Sequence, residues 1–470
     1  MTTKILTQRT NWFDHFTINI NWFSLTLRTQ VLAGLLVPLF VLNFVGEAQK
    51  GSYYGTIRLW ALMVAVLAQG LFGLLSDRSR SKWGRRRPFI FIGTVLEVIL
   101  ILAMIWIAGL QGMTGFAVLF GVYIFSMLLS NMSQAGTQGL LPDLVPQEKR
   151  GISSGVKMLL EVPFPLVIVG LVIAPMVSQN DISAAIFVTG VVMLGCMALT
   201  MFAREKPLEA SLGKLDWKPF VSLLLMTIVF TVVILGLGEI VKFSIAALGD
   251  ASNFVYGTIG VVAMLVAVVL GIFASLTVHM DKTIRKNGPF LWFIISRLAA
   301  FVAINNIAAF LLYFFQEKFA MPTNEAIELA GLLPMVLGGF VILFGLVAGW
   351  LSDRYSRKLL TVISGVIGAI GVGVMVFGVN IAMMYVAAAV IGLAYALFNV
   401  ASWALGADIV PGERAGEFLG IQNLAGAGAG AIGAYIGGTI ADYSGYVLMM
   451  AMFGVMFLLS AIASFFIQRT

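Results

Sequence analysis

Gly73-Leu-Leu-Ser-Asp-Arg78 returns as Gly349-Trp-Leu-Ser-Asp-Arg354, at an offset of 276 residues. A second string, Asp143-Leu-Val-Pro-Gln-Glu148 followed by Gly151 and Gly155, returns as Asp408-Ile-Val-Pro-Gly-Glu413, Gly416 and Gly420, at an offset of 265. Two elements that recur in the same order at nearly the same spacing describe a chain built from two related halves. Each copy lies between long apolar stretches, and internal repeats of this kind are a common construction of membrane transporters.

The composition agrees. Hydrophobic residues make up 60% of the chain and charged residues 11%, against roughly half and about a quarter in a soluble domain. The net charge of +7 does not indicate nucleic acid, because the basic residues sit in short loops between apolar spans, where membrane topology accounts for them. One cysteine, Cys196, excludes a disulfide framework, and two histidines, His15 and His279, make a His/Cys metal site improbable. The first apolar stretch is too long for a signal-peptide core and reads as a retained span.

A crossing takes about 20 apolar residues. By that measure spans fall near 21–46, 55–75, 88–110, 114–137, 151–175 and 183–203, then 219–240 and 255–278, then 289–315, 329–351, 359–379, 382–405, 416–440 and 446–467. The expected fold is an all-α integral membrane protein of about fourteen helices. A segment at 1–20 leads into a six-helix bundle over 21–203. A linker at 204–288 carries two extra helices, and a second six-helix bundle occupies 289–470. Of the 29 basic residues, only Lys50, Arg58, Lys242 and Lys318 fall outside or at the outer boundary, and Arg28, Lys157 and Arg297 lie within spans. All the others are cytoplasmic if the N-terminus is, so both termini are assigned to the cytoplasm. Both Ser-Asp-Arg loops then face the same side, which requires an even number of crossings between them. Parity excludes a single extra crossing but leaves open whether 219–240 and 255–278 both cross or neither does; fourteen crossings is the favoured count.

The first loop continues as Ser79-Arg-Ser-Lys-Trp-Gly-Arg-Arg-Arg-Pro88. Gly73 permits close helix contact, Asp77 can pair with arginines or cap a neighbouring helix, and Pro88 suits the first turn of the next helix. The loop resembles the signature of the major facilitator superfamily, Gly-x-x-x-Asp-Arg-x-Gly-Arg-Arg, which joins the second and third helices of each half. The longer string, with Gln138-Gly-Leu-Leu-Pro-Asp-Leu-Val-Pro146 and Val45-Gly-Glu-Ala-Gln-Lys50, is similar to the sucrose/proton symporters and the glycoside-pentoside-hexuronide:cation symporters. The resemblance covers both halves but not the 204–288 insertion.

It implies the major facilitator fold and secondary transport by alternating access. It also implies a gating role for Asp77, Arg78, Arg85 and Arg86, and for Asp353, Arg354 and Arg357 in the second half. Asp143 and Asp408, with their neighbours Glu148–Arg150 and Glu413–Arg414, are expected to join that network. These residues would bias a two-state equilibrium without touching substrate.

Ionisable residues within spans are functional by default. Arg28, Glu97, Lys157, Glu161 and Arg297 qualify. A rise of 1.5 Å per residue puts Glu97 and Arg297 about 12–14 Å past their cytoplasmic helix starts, with Glu161 at similar depth and Lys157 one turn before it on the same face. Glu161 and Glu97 are candidates for proton coupling, with Lys157 beside Glu161. Arg297 is a candidate charge partner or sugar ligand. The plainer alternative is a static Lys157–Glu161 pair and arginines that snorkel to the surface.

In the superfamily the first, fourth, seventh and tenth core helices line the cavity. Here those spans carry Asn43, Tyr123, Asn131, Gln134, Asn305, Asn306, Tyr313, Tyr395, Asn399 and Trp403, a mixture of hydrogen-bonding groups and aromatic faces that suits sugars. At least half of them are expected only to join helices.

Paired mid-depth acids, which the sodium-coupled relatives carry in the first two helices, are missing. Protons are therefore the expected coupling ion, with uncoupled transport left open and no other cofactor expected. The inserted helices look like a lateral brace. The Gly-rich run Ala425–Ala431 lacks the Lys-Ser/Thr ending of a phosphate loop and reads as close helix packing. The sequence describes a multi-pass plasma-membrane transporter for a small molecule, surrounded by lipid and acting as a monomer. The competing readings are an exporter of amphipathic compounds and a non-transporting receptor or assembly factor. No nucleophile–base or metal cluster supports an enzyme.

Overall fold

Within lipid a chain must satisfy its own backbone polar groups, and long apolar segments do so as helices. A computed structural model describes residues 11–205, 216–249, 251–279, 288–409 and 415–467, without the side chains of 274–279, 407–408 and 415–425. It shows helices and no strand among the described residues. The N-terminal half comprises α1 Trp12–Val45, α2 Lys50–Asp77, α3 Arg87–Ile107, α4 Gly112–Leu144, α5 Gln147–Ser178 and α6 Ile182–Thr200. The inserted pair is α7 Lys218–Leu248 and α8 Asn253–His279. The C-terminal half comprises α9 Gly288–Phe319, α10 Thr323–Arg354, α11 Arg357–Phe377, α12 Ile381–Ile409, α13 Ala415–Ser444 and α14 Tyr446–Phe465. Among the described residues, thirteen of these contain a stretch long and apolar enough to cross a membrane, α7 and α8 among them. The remaining helix, α13, has 30 residues.

Helix α1 starts earlier than hydropathy alone places it. Residues 12–20 form its opening turns because polar partners support them. The Asp14 carboxylate accepts from the Asn11 backbone N–H at 2.9 Å and lies 3.7 Å from Arg204. Asn19 donates to the Ser153 hydroxyl at 2.9 Å. Helices α1 and α5 each contain a π-helical turn, at Gln30–Leu36 and Val169–Ile173. Helix α5 also breaks at Val162, just before Pro163 and Pro165. Proline removes a backbone donor and crowds the preceding turn, so this break is written in the sequence.

The halves meet along two seams, α2 against α13 and α5 against α10. Glycines decide how closely. A Cβ on Gly438 would lie 2.2 Å from the Gly51 carbonyl oxygen, and one on Gly55 would lie 2.3 Å from that of Ala434. On the second seam a Cβ on Gly170 would lie 3.1 Å from the Gly331 carbonyl oxygen. These contacts are backbone to backbone, and all lie at the end of the bundle opposite the two Ser-Asp-Arg loops. At the loop end Gly73, Gly151, Gly155 and Gly349 face open space, with no foreign atom within 4 Å of a Cβ. The close contact that Gly73 permits is not made in this structure. The halves are in backbone contact at the far end, and the four loop-end glycines take no part in such a contact.

The inserted pair straddles the first seam. Helix α7 packs on both α2 and α13, and α8 packs on α13, α14 and α9. Gly238 of α7 admits the Tyr435 ring, and Gly428 of α13 admits the Phe230 ring of α7. This is the lateral placement expected of a brace, and the Gly-rich run does serve close packing from residue 428 onward.

A side chain at Gly438 should force α2 and α13 apart. Gly438→Val is expected to cost about 1–3 kcal/mol of stability, lowering the thermal midpoint in detergent. In a Cys196→Ala background it should also raise the maleimide reactivity of a cysteine placed at Ser52. Unchanged reactivity and midpoint would contradict the far-end seam.

Candidate functional site

At the loop end the network is built around Arg86, one residue before α3. Its guanidinium is paired with Asp77, lies 2.9 Å from Asp143 and donates to the Ser76 hydroxyl at 2.6 Å. Arg85 also pairs with Asp143. Glu205, beyond α6, completes the cluster by accepting from the backbone N–H groups of Arg86 at 2.8 Å and Arg87 at 3.2 Å. These are donors that the first turn of α3 leaves without helical partners, with the helix dipole favouring an anion there. Burial raises the Glu205 carboxyl above its usual range, and the backbone donors act in the opposite direction. Glu205 was not legible in the sequence because it belongs to neither copy of the repeat.

The network lies within the N-terminal half. Arg78 ends α2 as its C-cap, and Arg150 donates to the carbonyls of Pro142 and Val145 at the end of α4. The second copy is built differently. Arg354 lies over the Trp350 ring at 4.4 Å, and Arg357 donates to the Ala404 carbonyl at 3.2 Å. Asp353 is exposed and makes no ion pair among the described residues. The side chain of Asp408 and residues Glu413 and Arg414 lie outside the described residues.

Inside the N-terminal half, Arg28 of α1 is 1% exposed and Glu97 of α3 is 0% exposed. They form an ion pair at 2.5 Å. Arg28 also donates to the Ser126 hydroxyl of α4 at 2.6 Å and lies 5.6 Å from the Tyr123 ring centroid. Ser126 in turn donates to Glu97 at 3.1 Å. The partner of Glu97 is thus Arg28, and Arg28 does not snorkel. A side chain fully enclosed by three helices has no path to the surface.

Glu161 stands where α5 breaks, half-buried and 3.3 Å from Lys157. The Lys157 ammonium lies 3.9 Å over the Trp22 ring of α1. Tyr395 of α12, in the opposite half, is close enough to interact electrostatically with both Glu161 and Arg297. Arg297 is 5% exposed. It donates to the Ser402 hydroxyl at 2.6 Å and lies between the Phe301 and Trp403 rings at 4.9 and 5.2 Å. It forms no ion pair among the described residues. Glu161, Arg297, Tyr395 and the half-exposed Trp403 therefore share one region where the halves face each other.

The remaining candidates disperse. Asn131 and Asn306 spend an amide donor on their own helix, on the carbonyls of Met127 and Val302. Asn305 donates within the C-terminal half, to the Gly426 carbonyl of α13 at 2.9 Å. The Asn399 carbonyl lies 3.5 Å from the Ser402 hydroxyl, and Gln134 is half-buried. Asn43 is exposed near the far end of α1. Tyr313 is fully buried there, its hydroxyl donating to the Pro38 carbonyl at 2.7 Å.

Two cations placed at the outer boundary by the sequence are buried. Lys50 is 4% exposed and is held by Glu47 at 2.5 Å, Gln316 at 3.0 Å and the Tyr313 and Tyr446 rings. Beside it Asp442 of α13 accepts from the backbone N–H groups of Gly51 and Ser52, both at 2.7 Å, capping α2 from the other half. Arg58, two turns further along α2, is 8% exposed and donates to the Asn305 carbonyl at 3.1 Å. The signal available was distance: eight residues past the helix start is about 12 Å into the span.

Comparison with known proteins gives the family. The Major Facilitator Superfamily model matches residues 23–426 and 293–470, so the chain belongs to that superfamily. It is a membrane transporter, not an enzyme. No curated protein matches the sequence. Among solved structures the fold is similar to an auto-inhibited POT family peptide transporter, at 15% identity and TM-score 0.66, covering 97% of each chain. It is also similar to a D-xylose-proton symporter, at 14% identity and TM-score 0.63, covering 97% of this chain and 98% of the other. The nucleoside transporter NupG matches at 14% identity and TM-score 0.64, covering 96% and 98%.

Removing one member of a buried ion pair leaves an uncompensated charge, at a cost of roughly 3–5 kcal/mol. Glu97→Gln should lower the thermal midpoint sharply, and Arg28→Met in the same chain should recover part of the loss; additive losses would contradict the pairing. Glu205 makes a pH-dependent contribution. Because its folded pKa is raised, the native state is favoured at low pH, and that contribution is lost as pH rises from the ordinary glutamate value of 4.5 through the higher folded value. Glu205→Gln should flatten this part of the stability–pH profile, and an unaltered slope would exclude Glu205 as its source.

Proposed function

We propose that the protein is a secondary active transporter of the cell membrane that works by alternating access and couples proton entry to symport of a small polar solute, a sugar or glycoside. The observation that carries this reading is Glu161, a carboxylate at a helix break that shares its surroundings with Tyr395 and Arg297 of the opposite half. Broken helices in transporters commonly mark substrate and ion sites. A carboxylate exchanging partners between Lys157 and the facing half can be occupied by a proton in one arrangement and released in the other. Glu97 has Arg28 as a fixed partner, so its part is to hold α1, α3 and α4 as one body.

The ends of the bundle supply the gates. With the Ser-Asp-Arg loops in the cytoplasm, the far-end seam of Gly51, Gly438, Lys50 and Asp442 closes the outer side, and the loop end opens inward. Closing the loop end would bring Gly73 toward α13 and Gly349 toward α5, extending the two seams that now hold the far end. The aromatic rings of Trp403 and Tyr395 and the amides of α12 and α9 supply stacking and hydrogen bonding for a sugar.

The test uses purified protein in liposomes with an imposed pH gradient and a panel of labelled sugars and glycosides. Gradient-driven accumulation is expected, and Glu161→Gln should abolish it while leaving solute counterflow. Unchanged uphill uptake in that variant would remove Glu161 from coupling. Proton flux driven only by amphipathic drugs would replace symport with export.

A further inference from the structure

The two halves repeat more than their loops. Ser126 and Ser402 differ by 276 positions, the offset of the Ser-Asp-Arg loops, and Arg28 and Arg297 differ by 269, between the two repeat offsets. In each half the arginine stands on the first helix and donates to that serine on the fourth, both times at 2.6 Å. In each half an aromatic ring from the fourth helix lies beside the guanidinium, Tyr123 at 5.6 Å and Trp403 at 5.2 Å. The third helices also correspond, since Arg87–Ile107 and Arg357–Phe377 both contain 21 residues and begin with arginine. Aligned by their starts, Glu97 falls on Ile367, and α11 contains no acidic residue. One half holds its buried arginine with a carboxylate, and the other repeats the arginine, the serine and the ring without one.

A buried guanidinium in a membrane span is costly without an anion. The Nε of Arg297 is buried with no hydrogen-bond partner among the described residues. Glu161 on the facing half, which interacts with the neighbouring Tyr395, already has Lys157 at 3.3 Å. We propose that Arg297 is the binding site for a carboxylate on the transported solute, which takes in the C-terminal half the place that Glu97 occupies in the N-terminal half. The Phe301 and Trp403 rings flank the guanidinium and suit a solute whose carboxylate is attached to a ring. A guanidinium fork binds a carboxylate through paired charged hydrogen bonds, which a neutral hydroxyl or amide cannot match. The inference rests on the reading above that this region is the substrate site, and it narrows the solute to organic anions.

Binding to the purified full-length protein is measured with matched probes: phenyl β-D-glucuronide against phenyl β-D-glucoside, and 4-hydroxybenzoate against 4-hydroxybenzamide. The carboxylate of at least one pair should bind at least roughly tenfold more tightly than its neutral mate, and Arg297→Gln should erase that preference. Ile367→Glu, which supplies an internal acid at the position matching Glu97, should erase it as well while the thermal midpoint is retained. Absence of binding by both carboxylates, or equal binding within both pairs, overturns the proposal, as does a preference that survives Arg297→Gln. Equal binding of glucuronide and glucoside leaves the sugar reading standing. Binding of the benzoate without either glycoside supports the carboxylate site and removes the sugar reading.

Discussion

Where α2 crosses α13, two peptide backbones come as close as glycine allows, with the Gly438 backbone against the Gly51 carbonyl and Ala434 against Gly55. Asp442 fastens this crossing by capping the first turn of α2 from the opposite half. In a membrane, helices gain little from hydrophobic association, so close packing and hydrogen bonds decide where they adhere. The halves therefore adhere at the end where the small residues and the cap coincide. The loop end, with glycines facing open space, is left free. The state of the transporter follows from that one asymmetry.

The proposed alternation requires each half to behave as a body rigid enough to pivot. The N-terminal half has two devices for this. One is the enclosed set Arg28, Glu97 and Ser126, which ties three helices at mid-depth. The other is the Arg86 cluster at the loop end, where Asp77, Asp143 and Glu205 gather α2, α4 and the chain beyond α6 around the start of α3. The C-terminal half repeats the mid-depth arginine and serine without the acid, and its second-copy loop without an ion pair at Asp353 among the described residues. Related bundles with unequal internal electrostatics are suited to different tasks, and the C-terminal one retains an unmatched cation at the interface.

The fold was largely legible because its determinants are local. Apolar run length gives the crossings, and the repeated loops give the two-half plan. The site was legible only in part. Glu161 and Arg297 stand out as charges in apolar spans, and the prolines after Glu161 mark the break. The partner of Glu97 could not be read, because helices apolar on every side do not disclose which faces meet. For the same reason the sequence does not show that Asn131 and Asn306 each donate one amide N–H to their own backbone. Lys50 and Arg58 looked peripheral because they lie near a helix start, and only the facing half buries them.

The central claim is that the halves pivot about alternating contacts, one end closing as the other opens. Spin labels at Lys82 and Tyr355 report the loop end, and labels at Gln111 and Asn380 report the far end. Pulsed electron–electron distances in lipid nanodiscs at two pH values measure both. The account predicts two populations at each end, with the loop-end pair shortening in the condition that lengthens the far-end pair. Distances that remain single and fixed at both ends, or that lengthen together, would contradict it.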